Sequence, residues 1–127
     1  MTYYIVQGGG IRQRKLAEEA VKFAIQQLFP RFKNYEIFIQ LTKDKTDVFE
    51  EDERTYQVRV STKQNKEDFI TGIFHEFVHI DQYLRGRMHD YGYTNFQEYI
   101  NHPAEVEAYA RQEELLERWN TARSSVG

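Results

Sequence analysis

Residues 72–81 read Gly-Ile-Phe-His-Glu-Phe-Val-His-Ile-Asp, and the rest of the chain is best read outward from them. His75 and His79 are four positions apart. A helical turn takes about 3.6 residues, so the two imidazoles stack on one face roughly 6 Å apart. Ile73, Phe74, Phe77, Val78 and Ile80 occupy the remaining faces. A helix this apolar all round must be covered on most sides, which makes it the centre of a packed domain. Two imidazoles and the Glu76 carboxyl buried with it need partners. One metal ion reached by both imidazoles at about 2.0–2.1 Å is such a partner. Glu76 lies about 100° round the helix from His75. It would sit beside the ion without ligating it, where it can take a proton from an attacking water. Gly72, one turn before His75, leaves room for a substrate or a neighbouring element.

Around this helix the chain alternates between strand and helix signals. Thr2 to Val6 reads as a strand, broken by Gly8-Gly9-Gly10. The glycines invite a phosphate-loop reading, but the fuller motif is missing and a connector is the expectation. Residues 11–29 read as a helix ended by Pro30, with Leu16, Ala20, Phe23, Ala24 and Leu28 as its core stripe. Tyr35–Thr42 and Thr55–Thr62 read as strands that pair with each other. Between them, Lys43–Arg54 reads as a charged loop. Its Glu50-Glu51-Asp52-Glu53 cluster lacks the spaced ligands and turn glycine of a calcium loop.

Asn65 and Asp68 form an approximate capping box for the central helix, which should run to Leu84 and stop at Gly86. Thr94 and Gln97 open a short helix to about Asn101. Pro103 opens a last helix to about Trp119, and residues 121–127 read as a frayed tail after one domain over 1–120. Strand, helix, two strands, then helices is an α+β order: a short antiparallel or mixed sheet packed on helices.

Composition narrows the chemistry. The chain has 127 residues, 40% of them hydrophobic, enough for one core. It carries no cysteine, so any metal must be held by His, Asp or Glu. A net charge of −3 supplies no global field for nucleic acid, which is not expected as a partner. No apolar run approaches 18 residues and no secretory signal is evident, so neither membrane insertion nor export is expected. A cytoplasmic location is the expectation.

A zinc ion open to substrate takes three protein ligands. Asp81, His89, Asp90, His102, Glu105 and Glu107 are the downstream candidates for the third. Glu105 shares a helical face with Ala108, Tyr109, Gln112, Leu116 and Trp119, as an inward face should read. Glu107 shares one with Arg111, Glu114 and Arg118, a salt-bridged solvent face. Glu105 is the expected ligand. His102 could replace it, although a histidine at the helix entry is the simpler reading. Gln82 faces the same way as the two histidines and could orient one of them.

With these residues in place, the chain resembles the gluzincin metallopeptidases, in which HExxH is followed by ExxA on a later helix. Glu105-Val-Glu-Ala108 fits ExxA. His79 to Gln82 and Pro103 to Tyr109 resemble the compact metallopeptidase-like proteins of bacteria and phages. The resemblance spans about residues 56–119. It implies a small zincin-like domain holding one zinc on His75, His79 and Glu105, with an extended peptide or protein substrate along strand 55–62. It also implies peptide or amide hydrolysis by a zinc-activated water, with Glu76 as general base. Where some members carry an aspartate four residues after the ligand glutamate, this chain has Tyr109. His89, His102, Tyr91, Tyr93, Tyr99 and Tyr109 are the candidates for stabilising an oxyanion. The alternative is a zinc-containing binding or structural module that cleaves nothing, for instance one associated with a virion. A third option for the same site is amide hydrolysis of a non-protein substrate such as cell-wall peptide.

Overall fold

The computed structural model describes residues 2–87 and 101–126. In chain order these form β1 (Thr2–Gly8), α1 (Ile11–Leu28), β2 (Tyr35–Thr42), β3 (Asp47–Asp52), β4 (Thr55–Ser61), α2 (Lys66–Leu84) and α3 (Pro103–Val126). The fold is α+β. One mixed sheet has the order β1-β2-β4-β3, with β1, β2 and β4 parallel and β3 antiparallel to β4.

Alternation along β2 and β4 turns Ile37, Ile39, Leu41, Tyr56, Val58 and Val60 into one buried face. The helices cover that face. Phe77 of α2 stacks on Phe29, with rings 6.3 Å apart and 4° from parallel. Phe74 meets Trp119 of α3 edge-on. Each such fully buried aromatic contributes about 1.5–3 kcal/mol from water exclusion alone. α2 is buried almost throughout, from Phe69 to Leu84, as its apolar run requires. Its start is the expected cap: Asn65 Oδ1 accepts from Asp68 N at 2.8 Å. Its end is Gly86, at φ 72°.

Three sequence expectations change. The first concerns residues 43–54, which are not all loop. Asp47–Asp52 is the edge strand β3, held in register by the paired Asp47 and Arg59 side chains. Its acidic residues hide the apolar alternation by which a strand is recognised. The hairpin is therefore β3–β4, turning through Arg54 at φ 64°, while β2 and β4 are neighbours but parallel.

The second concerns β4 itself. It is paired on both sides and offers no free edge to a peptide; among the described residues, the edge strand on that side of the sheet is β3. The third concerns the tail. Helix α3 continues past Trp119 to Val126. Arg123 stacks over the Trp119 ring at 4.7 Å and pairs with Glu19 of α1 at 2.9 Å, which fixes the extra turns. The expected helix from Thr94 lies outside the described residues. Among the described residues, no helix is long and apolar enough to cross a membrane.

Candidate metal centre

Helix α2 presents His75 and His79, and α3 crosses it so that Glu105 meets both. His75 Nε2 lies 3.0 Å from Glu105 Oε1, and His79 Nε2 lies 3.2 Å from the same atom and 3.1 Å from Oε2. All three ligand atoms fall within 4.8 Å of one another, and all three residues are buried. The helical-face argument that favoured Glu105 over Glu107 agrees with this placement.

The far nitrogen of each imidazole is also held. His79 Nδ1 lies 2.7 Å from Gln82 Oε1, and His75 Nδ1 lies 2.7 Å from Gln112 Oε1. The Gln82 amide cannot be turned over. Its Nε2 donates to Ala104 O at 3.0 Å and to Glu107 Oε1 at 2.7 Å, and both partners only accept. Gln112 Nε2 donates likewise to Glu113. Each histidine must therefore carry a proton on Nδ1. In a neutral ring that leaves the Nε2 lone pair directed at the Glu105 carboxylate. Two lone pairs and a carboxylate facing each other at about 3 Å repel, so the arrangement calls for a metal ion among them or, in its absence, a proton on each Nε2. Two nitrogen donors and one oxygen donor suit a small divalent ion of zinc's class.

Charge around this cluster is uneven. Burial pushes the Glu76 carboxyl up from 4.5 to about 8, and the nearby Glu105 and Asp47 charges push the same way against a lowering by His75. Burial would also raise Glu105. The hydrogen bonds from His75 and His79, with their charges, outweigh it and bring that carboxyl down to about 2. The two carboxyls are thus driven in opposite directions.

The chain matches no protein-family model, no curated protein and no solved structure. The reading of the site therefore stands on its own geometry.

Several other residues are now located. Asp81 is buried away from the cluster, bonded to Arg85 at 2.7 Å and to Arg111 at 2.9 Å, so it ties α2 to α3 and ligates nothing. Glu107 is not a plain solvent residue. It is half-buried, accepts from Gln82 and Arg87, and so holds the amide that holds His79. Its carboxyl is raised by burial, and bonds from Gln82 and Arg87 more than reverse this. His102 Nδ1 accepts from Ala104 N at 3.1 Å, the helix-entry role, and stands apart from the converging donors. Tyr109 is no core tyrosine: it is 45% exposed, with its ring 4.7 Å from that of His75. His89, Asp90, Tyr91, Tyr93 and Tyr99 lie outside the described residues. Gly72 receives a neighbouring element, since a Cβ there would meet Thr46 Cγ2 at 3.4 Å. Gln112 carries a role the sequence did not suggest. Its only signal was a long polar side chain on the inward face of α3.

Proposed function

We propose that this chain is a single-zinc hydrolase of peptide or amide bonds, with His75, His79 and Glu105 as ligands and Glu76 as general base. The observation that carries this reading is the convergence of both Nε2 atoms on Glu105 while both Nδ1 atoms are held by glutamine. When bound, the ion would supply Lewis acidity that polarises a carbonyl and lowers the pKa of water toward about 7.

The protein's own groups do the proton work. Glu76 adjoins the ligands without being one of them. It accepts the proton of the attacking water and delivers it to the departing amine. Tyr109, exposed beside His75, is the donor we assign to the developing oxyanion. The free edge of β3 is the strand along which we place an extended substrate. Its start adjoins α2, with Thr46, the residue before it, against Gly72 and Asp47 close enough to act on Glu76.

The test is zinc content and cleavage measured together. Wild type and Glu76→Gln, at matched zinc content, are assayed on a peptide library. Wild type should cleave in a zinc-dependent way, and Glu76→Gln should retain zinc and lose about 10²–10⁴ in rate. Failure to bind zinc on reconstitution would remove the reading altogether. Tight zinc binding without cleavage, with biological activity surviving Glu76→Gln, would point to a zinc-containing binding module instead.

A further inference from the structure

A second site lies at the other end of α2. The parallel strands β1 and β4 both finish at the same side of the sheet, and each feeds a helix, α1 and α2. Both helix N-termini therefore point to that side. Between them and the last turns of α3 is a groove of about 500 Å³. Arg12, Lys15, Lys66 and Arg123 line it, with Leu16 and Phe69 along its floor. Among the described residues, Glu19 is the one carboxylate lining it, and Arg123 pairs with that at 2.9 Å. Four cations against one anion leave a local excess of three positive charges, on a chain whose net charge is −3. Among the described residues, Arg12, Lys15 and Lys66 pair with no carboxylate.

The placement of these cations breaks a local rule. A helix N-terminus is the positive end of its dipole and favours acidic neighbours. The first turn of α1 has none, and its cap residue Gly10 offers no side-chain acceptor. Arg12 and Lys15 stand there instead, and Lys66 opens α2. The first turn of α2 does carry acids, Glu67 and Asp68, so the conflict is confined to α1; neither acid lines the groove, and Asp68 is engaged with Asn65. Gln13 Nε2 donates to Thr62 O at 3.4 Å and ties the start of α1 to the segment entering α2. Such conflicts between sequence and local electrostatics are retained where something else compensates them. The crevice beyond the carboxyl ends of parallel strands is also where open α/β sheets bind their ligands.

We propose that this groove binds a small, multiply charged oxyanion, a phosphate or dicarboxylate group, whose apolar portion rests on Leu16 and Phe69. The anion neutralises Arg12, Lys15 and Lys66 and accepts from the open amides at the start of α1. The site is independent of the metal centre. By the 1.5 Å rise of a helix, Lys66 and His75 are roughly 13 Å apart along α2.

Two-dimensional amide NMR of the full zinc-loaded chain, titrated with inorganic pyrophosphate and separately with succinate, tests this. Shifts confined to residues 10–16 and 64–69 are expected. Pyrophosphate alone would identify a phosphate ligand, and succinate as well a dicarboxylate one. Arg12→Gln with Lys15→Gln should weaken binding at least about tenfold, whereas Lys22→Gln, on α1 outside the groove, should not. The double variant should unfold no earlier than wild type, because it removes cations from a positive helix end. That separates lost binding from lost fold. No shift with either anion up to about 10 mM, or shifts centred on His75 and Glu105, would overturn the proposal. So would an effect of Lys22→Gln equal to that of the double variant. Binding of a single-stranded oligonucleotide but of neither small anion would replace it with a nucleic-acid surface.

Discussion

The amide oxygen of Gln82 lies 2.7 Å from His79 Nδ1, and the amide nitrogen of the same residue is held by Ala104 O and Glu107. Arg87 in turn pairs with Glu107 at 3.0 Å. A chain of three bonded side chains thus runs from the surface to the ring, and it sets which nitrogen of His79 carries the proton.

Gln82→Ala should therefore weaken zinc affinity, by about 10–100-fold, the usual effect of removing a residue that orients a ligand. Gln112→Ala should cost less, because Gln112 is less buried and water can replace its carbonyl. Competitive chelator titration of the two variants checks both the size and the order. Equal effects would mean the two imidazoles are held alike.

The two glutamates of α3 should separate cleanly. Glu105→Ala removes a ligand and should abolish tight zinc binding. Glu107→Ala removes only the lock on Gln82, so its loss should stay below about tenfold. The same titration decides this one. A loss at position 107 as large as at 105 would put Glu107 on the metal itself.

Without metal, stability should depend on pH in a defined direction. Burial raises the Glu76 carboxyl from 4.5 to about 8. Between those values the folded state binds more protons than the unfolded state, so stability falls as pH rises. Glu105, lowered to about 2, acts at the acid end. Its contribution is present above about pH 4.5 and is lost as pH falls toward 2. Urea denaturation of chelator-treated protein from about pH 5 to 9 should show the decline, on the order of a few kcal/mol. Glu76→Gln should flatten it.

Tyr109→Phe removes a hydroxyl at the mouth of the site. If that hydroxyl donates to the oxyanion, kcat should drop by about 10–10³ while zinc content stays unchanged. Steady-state kinetics on a cleaved peptide separates this from a packing effect, which would instead appear in thermal stability.

Two glycines should respond in opposite ways to alanine. A Cβ at Gly72 meets Thr46 at an ordinary contact distance of 3.4 Å. Gly72→Ala should therefore gain about 0.5–1 kcal/mol of helix propensity. At Gly8, φ is 86° and a Cβ would sit 2.6 Å from Leu41 O. Gly8→Ala should cost more than about 1–2 kcal/mol, the strain of the left-handed backbone alone. Thermal melts of both variants check the signs.

The central helix was legible because four independent signals agree in it: the cap at Asn65, the stop at Gly86, the apolar run and the His75–His79 spacing. Glu105 was legible from the faces of α3. Strand β3 was not. An edge strand needs only one half-covered side, and here Val48 is the one apolar residue on its side, followed there by Glu50 and Asp52. The parallel pairing of β2 and β4 was equally hidden, because neighbouring strands bury the same residues whichever way they run. The roles of Gln82, Gln112 and Glu107 depend on which amide atom faces which partner, and no periodicity encodes that.

The pairing of Glu19 with Arg123 joins positions 104 apart in the chain. Helix α3, which supplies Glu105 and closes over α2, is also the last of these elements to be synthesised. Until it emerges from the ribosome, His75 and His79 lack their contact with Glu105. Phe74 lacks Trp119, and an apolar flank of the central helix stands uncovered. The nascent chain therefore passes through a stage in which the sheet and two helices are complete but its stickiest surface is open to other proteins. Docking of α3 both covers that flank and brings Glu105 to the two histidines.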